Sequence, residues 1–128
     1  MSGGVDSSVV AARMVEAGHE VSGVYLNLTK IAEKGRGCSS PEDAQDAQRI
    51  ADQLGIELME WDLTSIFDEL VIKPWVLGYS KGITPNPCLL CNRTIKFAAV
   101  QERALPMGFD LVATGHYASL GRDGDLIT

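Results

Sequence analysis

The hydrophobic pattern divides the chain into alternating helical and extended segments. A mostly apolar stretch over 8–17, carrying Val9, Val10, Ala12, Met14 and Val15 around Arg13, predicts a helix, and Gly18 stands where a terminating glycine belongs. Val21, Val24, Tyr25 and Leu26 make 20–28 a strand. Residues 29–40, rich in Gly, Lys and Ser, read as a loop. Ser40 is then a helix N-cap, Pro41 the first helical residue, and Glu42 and Asp43 complement the helix dipole; the helix runs to Leu54 and stops at Gly55. The alternation of 56–63 predicts a second strand. Thr64 starts a third helix reaching about Tyr79, kinked or divided at Pro74. Two prolines two apart exclude regular structure over 82–91, and Asn92 caps a fourth helix to about Leu105. Residues 110–114 (DLVAT) read as a short buried strand, and 121–125 as the turn of a hairpin.

Strands alternating with helices imply one α/β domain with a doubly wound, mainly parallel sheet and helices on both faces. The nucleotide-binding unit is placed at 1–120, with 121–128 the start of a hairpin or linker. Ligands in such sheets bind outside the carboxyl ends of the strands. Three loops fall there: 1–7, the loop after Leu26, and 115–116. A loop in the position of 1–7 is expected to follow a first strand, which this sequence lacks. The chain is therefore read as a natural or engineered fragment, or as one with a misassigned start.

Composition narrows the class. The 128 residues are 45% hydrophobic and 22% charged, the balance of a soluble globular chain. No apolar run approaches the roughly 20 residues of a membrane helix, and no secretory signal opens the chain. Three cysteines, two of them as Cys88-Leu-Leu-Cys91, do not form a secreted disulfide framework, so a reducing cytoplasm is expected. The net charge of −6 argues against broad nucleic-acid binding and requires any such surface to be local.

Two segments carry chemistry. The opening MSGGVDSS combines glycines, which let backbone amides approach an anion, with the hydroxyls of Ser2, Ser7 and Ser8 and a following helix N-terminus worth about half a positive charge. No lysine serves this loop; Asp6 stands in it instead. A carboxylate beside phosphate is repulsive unless a cation lies between, so Asp6 predicts Mg²⁺. A flexible start followed by a serine N-cap is the plainer alternative. In TPNPCLLCNRTIKF (84–97), Cys91 precedes the expected helix start at Asn92, with Arg93 and Lys96 nearby, a setting that favours a thiolate nucleophile. A buried small hydrophobe, a redox pair, or half of a metal or iron–sulfur site with Cys38 as a third ligand stay open. Glu42, Asp43 and Asp46 form a solvated acidic face, Trp61 and Trp75 belong to core or interface, and Arg93, Lys96 and Arg103 make either an RNA-facing patch or a solvated one.

The string SGGVDS resembles the signature of the PP-loop ATP pyrophosphatases. Together with GCSSPEDAQDAQRIADQLGI (37–56), TPNPCLLCNRTIKF and ATGHYA (113–118), it resembles the N-terminal nucleotide-binding domain of the tRNA-specific 2-thiouridylase family over residues 1 to about 120. The resemblance implies an adenine nucleotide α-hydrolase-like fold in a cytoplasmic sulfurtransferase. In that chemistry ATP adenylates the 2-carbonyl of a wobble uridine, pyrophosphate leaves, a cysteine persulfide delivers sulfur, and AMP departs. It further implies that Met1, Ser2, Gly3, Gly4, Val5, Asp6 and Ser7 bind ATP phosphates with Mg²⁺, that Leu26 lies against adenine, and that Gly115 touches ATP. Cys91 would be the nucleophile, with Cys88 beside it. Asn86, Pro87, Cys88 and His116 would meet tRNA, and a separate persulfide protein would donate sulfur. Family members often carry Asp where this chain has Cys88, which raises the prospect of an iron–sulfur cluster on Cys88 and Cys91. The family's persulfide-bearing cysteine lies beyond residue 128. An amide-forming PP-loop ligase would share 1–7 but has no use for TPNPCLLCN; a nucleotide- or metal-binding module without catalysis is a further alternative.

Overall fold

The computed structural model describes residues 1–29 and 40–117, together with the backbone of 122–123 and 126–127. The loop expected at 29–40 lies almost entirely outside the described residues, and Cys38 with it.

Two parallel strands, β1 (Ser22–Asn27) and β2 (Glu57–Asp62), pair in register from Ser22 with Glu57 to Asn27 with Asp62. Leu63 extends the ladder by donating to the carbonyl of Asn27 at 2.9 Å. Side-chain alternation splits the pair into two faces. Tyr25 points towards α2 (Pro41–Leu54), where its hydroxyl donates to the Ser40 carbonyl at 2.9 Å. Val24, Leu26, Met59 and Trp61 turn the other way and pack on Val100, Ala104 and Phe109. The architecture is thus α/β, with helical layers against a two-stranded parallel sheet.

Helix α1 (Val5–Glu16) starts three residues before the expected Ser8, so Asp6 and Ser7 belong to its first turn rather than to a loop. Helix α2 matches its local signals. Ser40 and Asp43 form a reciprocal capping box, with both hydrogen bonds at 3.1 Å, and Gly55 closes the helix at φ 68°. Asp62 accepts from the Thr64 amide at 2.9 Å and starts α3 (Thr64–Phe67). A π-helical stretch, Asp68–Ile72, then leads into α4 (Lys73–Ser80). The extra residue per turn falls just ahead of Pro74, where a regular ladder would need the amide that proline lacks.

Residues 82–86 hold no helix or strand, as expected, but 87–91 correct the expectation of an irregular loop. Helix α5 (Pro87–Cys91) begins inside the proline segment, continues through a π-helical stretch, Asn92–Ala99, and ends as α6 (Val100–Ala104). Asn92 is therefore mid-helix, not a cap. Proline at the first helical position has its φ preset and no amide to satisfy, so Pro87 initiates the helix.

Residues 110–114 are also corrected: they run without pairing to any strand among the described residues. Leu111 is 84% exposed, which is not the environment of a buried strand. Residues 122–123, expected within a turn, instead form β3 (Arg122–Asp123), antiparallel to β4 (Leu126–Ile127), and the rest of 121–125 lies outside the described residues. Among the described residues no helix is long and apolar enough to cross a membrane.

A core cluster of Leu28, Leu63, Phe67, Val71, Cys91 and Ile95 sits at the carboxyl ends of the strands, because Leu28 and Leu63 follow β1 and β2 directly. The predicted ligand edge is thus braced from below by the cysteine helix.

Candidate functional site

Gly4 is the N-cap of α1, and no side chain caps this helix end. Its first-turn amides are the kind of open donor that binds anions. The serines close the segment into a ring. Ser2 donates its amide to Ser7 Oγ at 3.1 Å, Ser2 and Ser7 hydroxyls meet at 3.2 Å, and Ser8 Oγ donates to the Gly4 carbonyl at 2.7 Å. Gly3 adopts φ +74°, and a Cβ there would lie 2.7 Å from the Asp43 carbonyl. Only glycine therefore lets the loop pass over the start of α2. Of the acidic face, Asp43 serves the capping box, whereas Asp46 pairs with Arg49 at the solvated surface.

The segment after 110–114 closes on the same turn. A Cβ on Gly115 would come within 2.8 Å of the Ser7 amide nitrogen and 3.1 Å of Asp6 Cβ, so the strap and the first turn of α1 are in direct contact. His116 Nδ1 lies 3.1 Å from Thr114 Oγ1, and its ring centroid is 5.0 Å from that of Phe97. Tyr117 donates its hydroxyl to Asp6 Oδ1 at 2.6 Å. That hydrogen bond, and secondarily the carboxylate charge, push the phenol above its usual range.

These elements border a cavity of about 590 Å³. Met1, Ser2, Asp6, Ser7, Leu26, Gly115 and His116 all line it. The volume falls within the range of small-molecule sites. Gly3, Gly4 and Val5 shape the loop without lining the cavity. Lys96 lines it too, and supplies from the cysteine helix the cation that the opening loop lacks. On the far side of the cavity, the Met1 amine donates to the carbonyl of Val24 on β1. Burial pulls its pKa below the ordinary value of 8.0.

Asn86, Pro87, Cys88 and Cys91 stand apart from the cavity lining. Asn86 caps α5 by accepting from the Leu89 amide at 3.1 Å, and Pro85 packs on Gly78 of α4, which seats the segment. Cys88 occupies the first turn and is exposed; Cys91 ends α5 and is 6% exposed inside the apolar cluster. The helix-start position expected for Cys91 is therefore occupied by Cys88, and Cys91 lies at the far end of α5. Cys91 shares its apolar cluster with Leu28, which itself lines the cavity.

Asp6 makes no ion pair among the described residues, and an exposed carboxylate flanked by hydroxyls suits a hard cation such as Mg²⁺. The iron–sulfur expectation finds no support, and Cys38, its third candidate ligand, lies outside the described residues. Among the described residues no group of three or more His, Cys, Asp and Glu could hold a metal ion. The sequence reading missed Tyr117 and the cavity position of Lys96. It also left Arg103 as a patch residue, whereas its guanidinium lies 4.7 Å from the centroid of the buried Trp61 ring.

A family model described as the tRNA methyl transferase HUP domain matches residues 1–126. The chain belongs to this family. HUP domains of this kind bind ATP, in agreement with a cavity walled by an uncapped helix start. The chain is 58% identical to the tRNA-specific 2-thiouridylase MnmA of Corynebacterium aurimucosum over 128 aligned residues, covering 97% of this chain and 36% of that protein. It is 58% identical to the protein of the same name from Mycobacteroides abscessus over 130, covering 98% and 36%. For Mycobacterium tuberculosis H37Rv the identity is 57% over 124, covering 94% and 34%. This HUP chain therefore spans about a third of the length of these curated relatives.

Proposed function

We propose that the chain is the ATP-binding part of a cytoplasmic tRNA-uridine 2-sulfurtransferase, built on a doubly wound sheet of which β1 and β2 are two strands. Its substrates would be Mg·ATP and a tRNA wobble uridine, with sulfur arriving from a persulfide donor protein. The observation that carries this reading is the shared cavity: the open first turn of α1, Leu26 of β1 and Gly115 of the strap face one space. Beneath it Cys91 packs in the cluster that includes Leu28.

The roles follow from charge and placement. Ser2, Ser7 and the first-turn amides would take the phosphates, Leu26 the base, and Lys96 part of the phosphate charge. Asp6 would hold Mg²⁺, which neutralises phosphate charge when bound. A carbonyl oxygen leaves poorly until adenylated, so that oxygen must first attack the α-phosphorus of ATP, releasing pyrophosphate, before sulfur attacks the carbon and AMP departs with the oxygen. Cys88, exposed above the buried Cys91, sits where solvent and RNA have access, with Asn86, Pro87 and His116 as its companions towards tRNA. Cys91 would act as nucleophile once its helix shifts to expose the sulfur, since a buried thiol cannot attack.

A chimera tests this. This chain replaces the matching segment of the Corynebacterium aurimucosum relative, and tRNA thiolation and transcript-dependent pyrophosphate release are measured. Both activities are expected in the chimera, with thiolation abolished by Cys91→Ser. A chimera that folds and binds tRNA yet releases no pyrophosphate would refute the reading.

A further inference from the structure

The hydrogen bond between Tyr117 and Asp6 joins residues 111 apart in sequence. It is not needed to satisfy a buried group, because Tyr117 is 90% exposed. The contact is nonetheless built in. Gly115, two residues earlier, is seated against the Asp6–Ser7 backbone so closely that no side chain fits there. Only one carboxylate oxygen is used; Asp6 Oδ2 has no hydrogen bond among the described residues.

We propose that Tyr117 is a positioning residue for Asp6, its hydroxyl fixing the carboxylate plane so that the second oxygen meets the magnesium of Mg·ATP. This rests on the nucleotide reading given above. The choice of donor matters. A lysine or arginine partner would cancel the negative charge that attracts the cation, whereas a neutral phenol orients the carboxylate and leaves its charge intact. Hydrogen-bond partners behind a metal-binding carboxylate typically contribute about 10–100-fold in metal affinity.

The test is ATP binding to the full chain by equilibrium dialysis, with magnesium titrated and with EDTA present. The proteins are wild type, Tyr117→Phe, Asp6→Asn and the double variant. Tyr117→Phe is expected to raise the magnesium midpoint by about 10-fold while leaving ATP binding in EDTA unchanged. Asp6→Asn is expected to remove most of the magnesium dependence, and the double variant to match it. A thermal melt confirms that Tyr117→Phe is folded, as its exposure leads one to expect. An unchanged midpoint in Tyr117→Phe overturns the proposal, as does an equal loss of ATP binding with and without magnesium. Failure of the wild type to bind ATP under any condition overturns the nucleotide reading itself, and this proposal with it.

Discussion

Asn86 accepts a hydrogen bond from the Leu89 amide at 3.1 Å, and this one contact decides where the cysteine helix begins. With Pro87 at the first helical position, it places Cys88 on the outside of the first turn and Cys91 one turn further along, in the core. Losing a cap of this type costs about 0.5–2 kcal/mol. Asn86→Ala is expected to lower the urea midpoint accordingly, and Asn86→Asp to retain most of it. Equal stability of all three would show that Pro87 alone sets the helix start.

The two thiols should differ sharply in access. Cys88 is exposed, and Cys91 is covered by Phe67, Val71 and Ile95. In a Cys38→Ala background, a maleimide reagent followed by mass spectrometry should modify Cys88 within the native protein. Cys91 should react only at the rate of local opening, and rapidly in denaturant. Comparable labelling rates in the native state would place Cys91 outside the core.

Where the deciding interactions are local, the sequence declares them. Ser40, Pro41 and Asp43 lie within four residues of one another, and Gly55 ends the same helix, so both ends of α2 were legible. The start of α5 was equally local, but the cap was placed at Asn92 rather than Asn86, and two prolines read as a loop concealed that one of them initiates a helix. Residues 110–114 failed for a different reason. DLVAT has the composition of a strand, but a strand needs a ladder partner, which composition cannot supply. The grouping of Ser2, Asp6, Ser7, Leu26 and Gly115 was foreseen from motif resemblance and topology. Tyr117 and Lys96 were not, because each reaches the site from an element distant in sequence from the opening loop.

Gly115 gives a steric test of the strap. Its added Cβ would lie 2.8 Å from the Ser7 nitrogen and 2.9 Å from the Asp6 carbonyl carbon, both backbone atoms that cannot swing aside. Gly115→Ala must therefore push the strap off the first turn of α1, and overpacking of this sort costs about 1–3 kcal/mol. ATP affinity is expected to fall by at least about 10-fold, the equivalent of roughly 1.4 kcal/mol. Gly18→Ala is the control: nothing lies within 4 Å of its added Cβ, so it carries only the strain of φ +83° and should leave ATP binding unchanged. Equal effects on ATP binding would mean that the strap does not shape the site.

The Met1 amine supplies a pH dependence whose sign is fixed. Burial lowers its pKa below 8.0, so between the folded value and 8.0 the unfolded chain holds more protons than the folded one. Stability must then rise with pH through that window and level off above it. Below the folded value both states are protonated, and the full cost of burying the charge is present. Urea midpoints measured from about pH 6 to about pH 9 should show the rise. N-terminal acetylation removes the charge but keeps an amide able to donate to the Val24 carbonyl. The acetylated protein should therefore lack this part of the slope while every other titrating group contributes as before. Identical slopes for the free and acetylated forms would show that the amine is solvated rather than buried against β1.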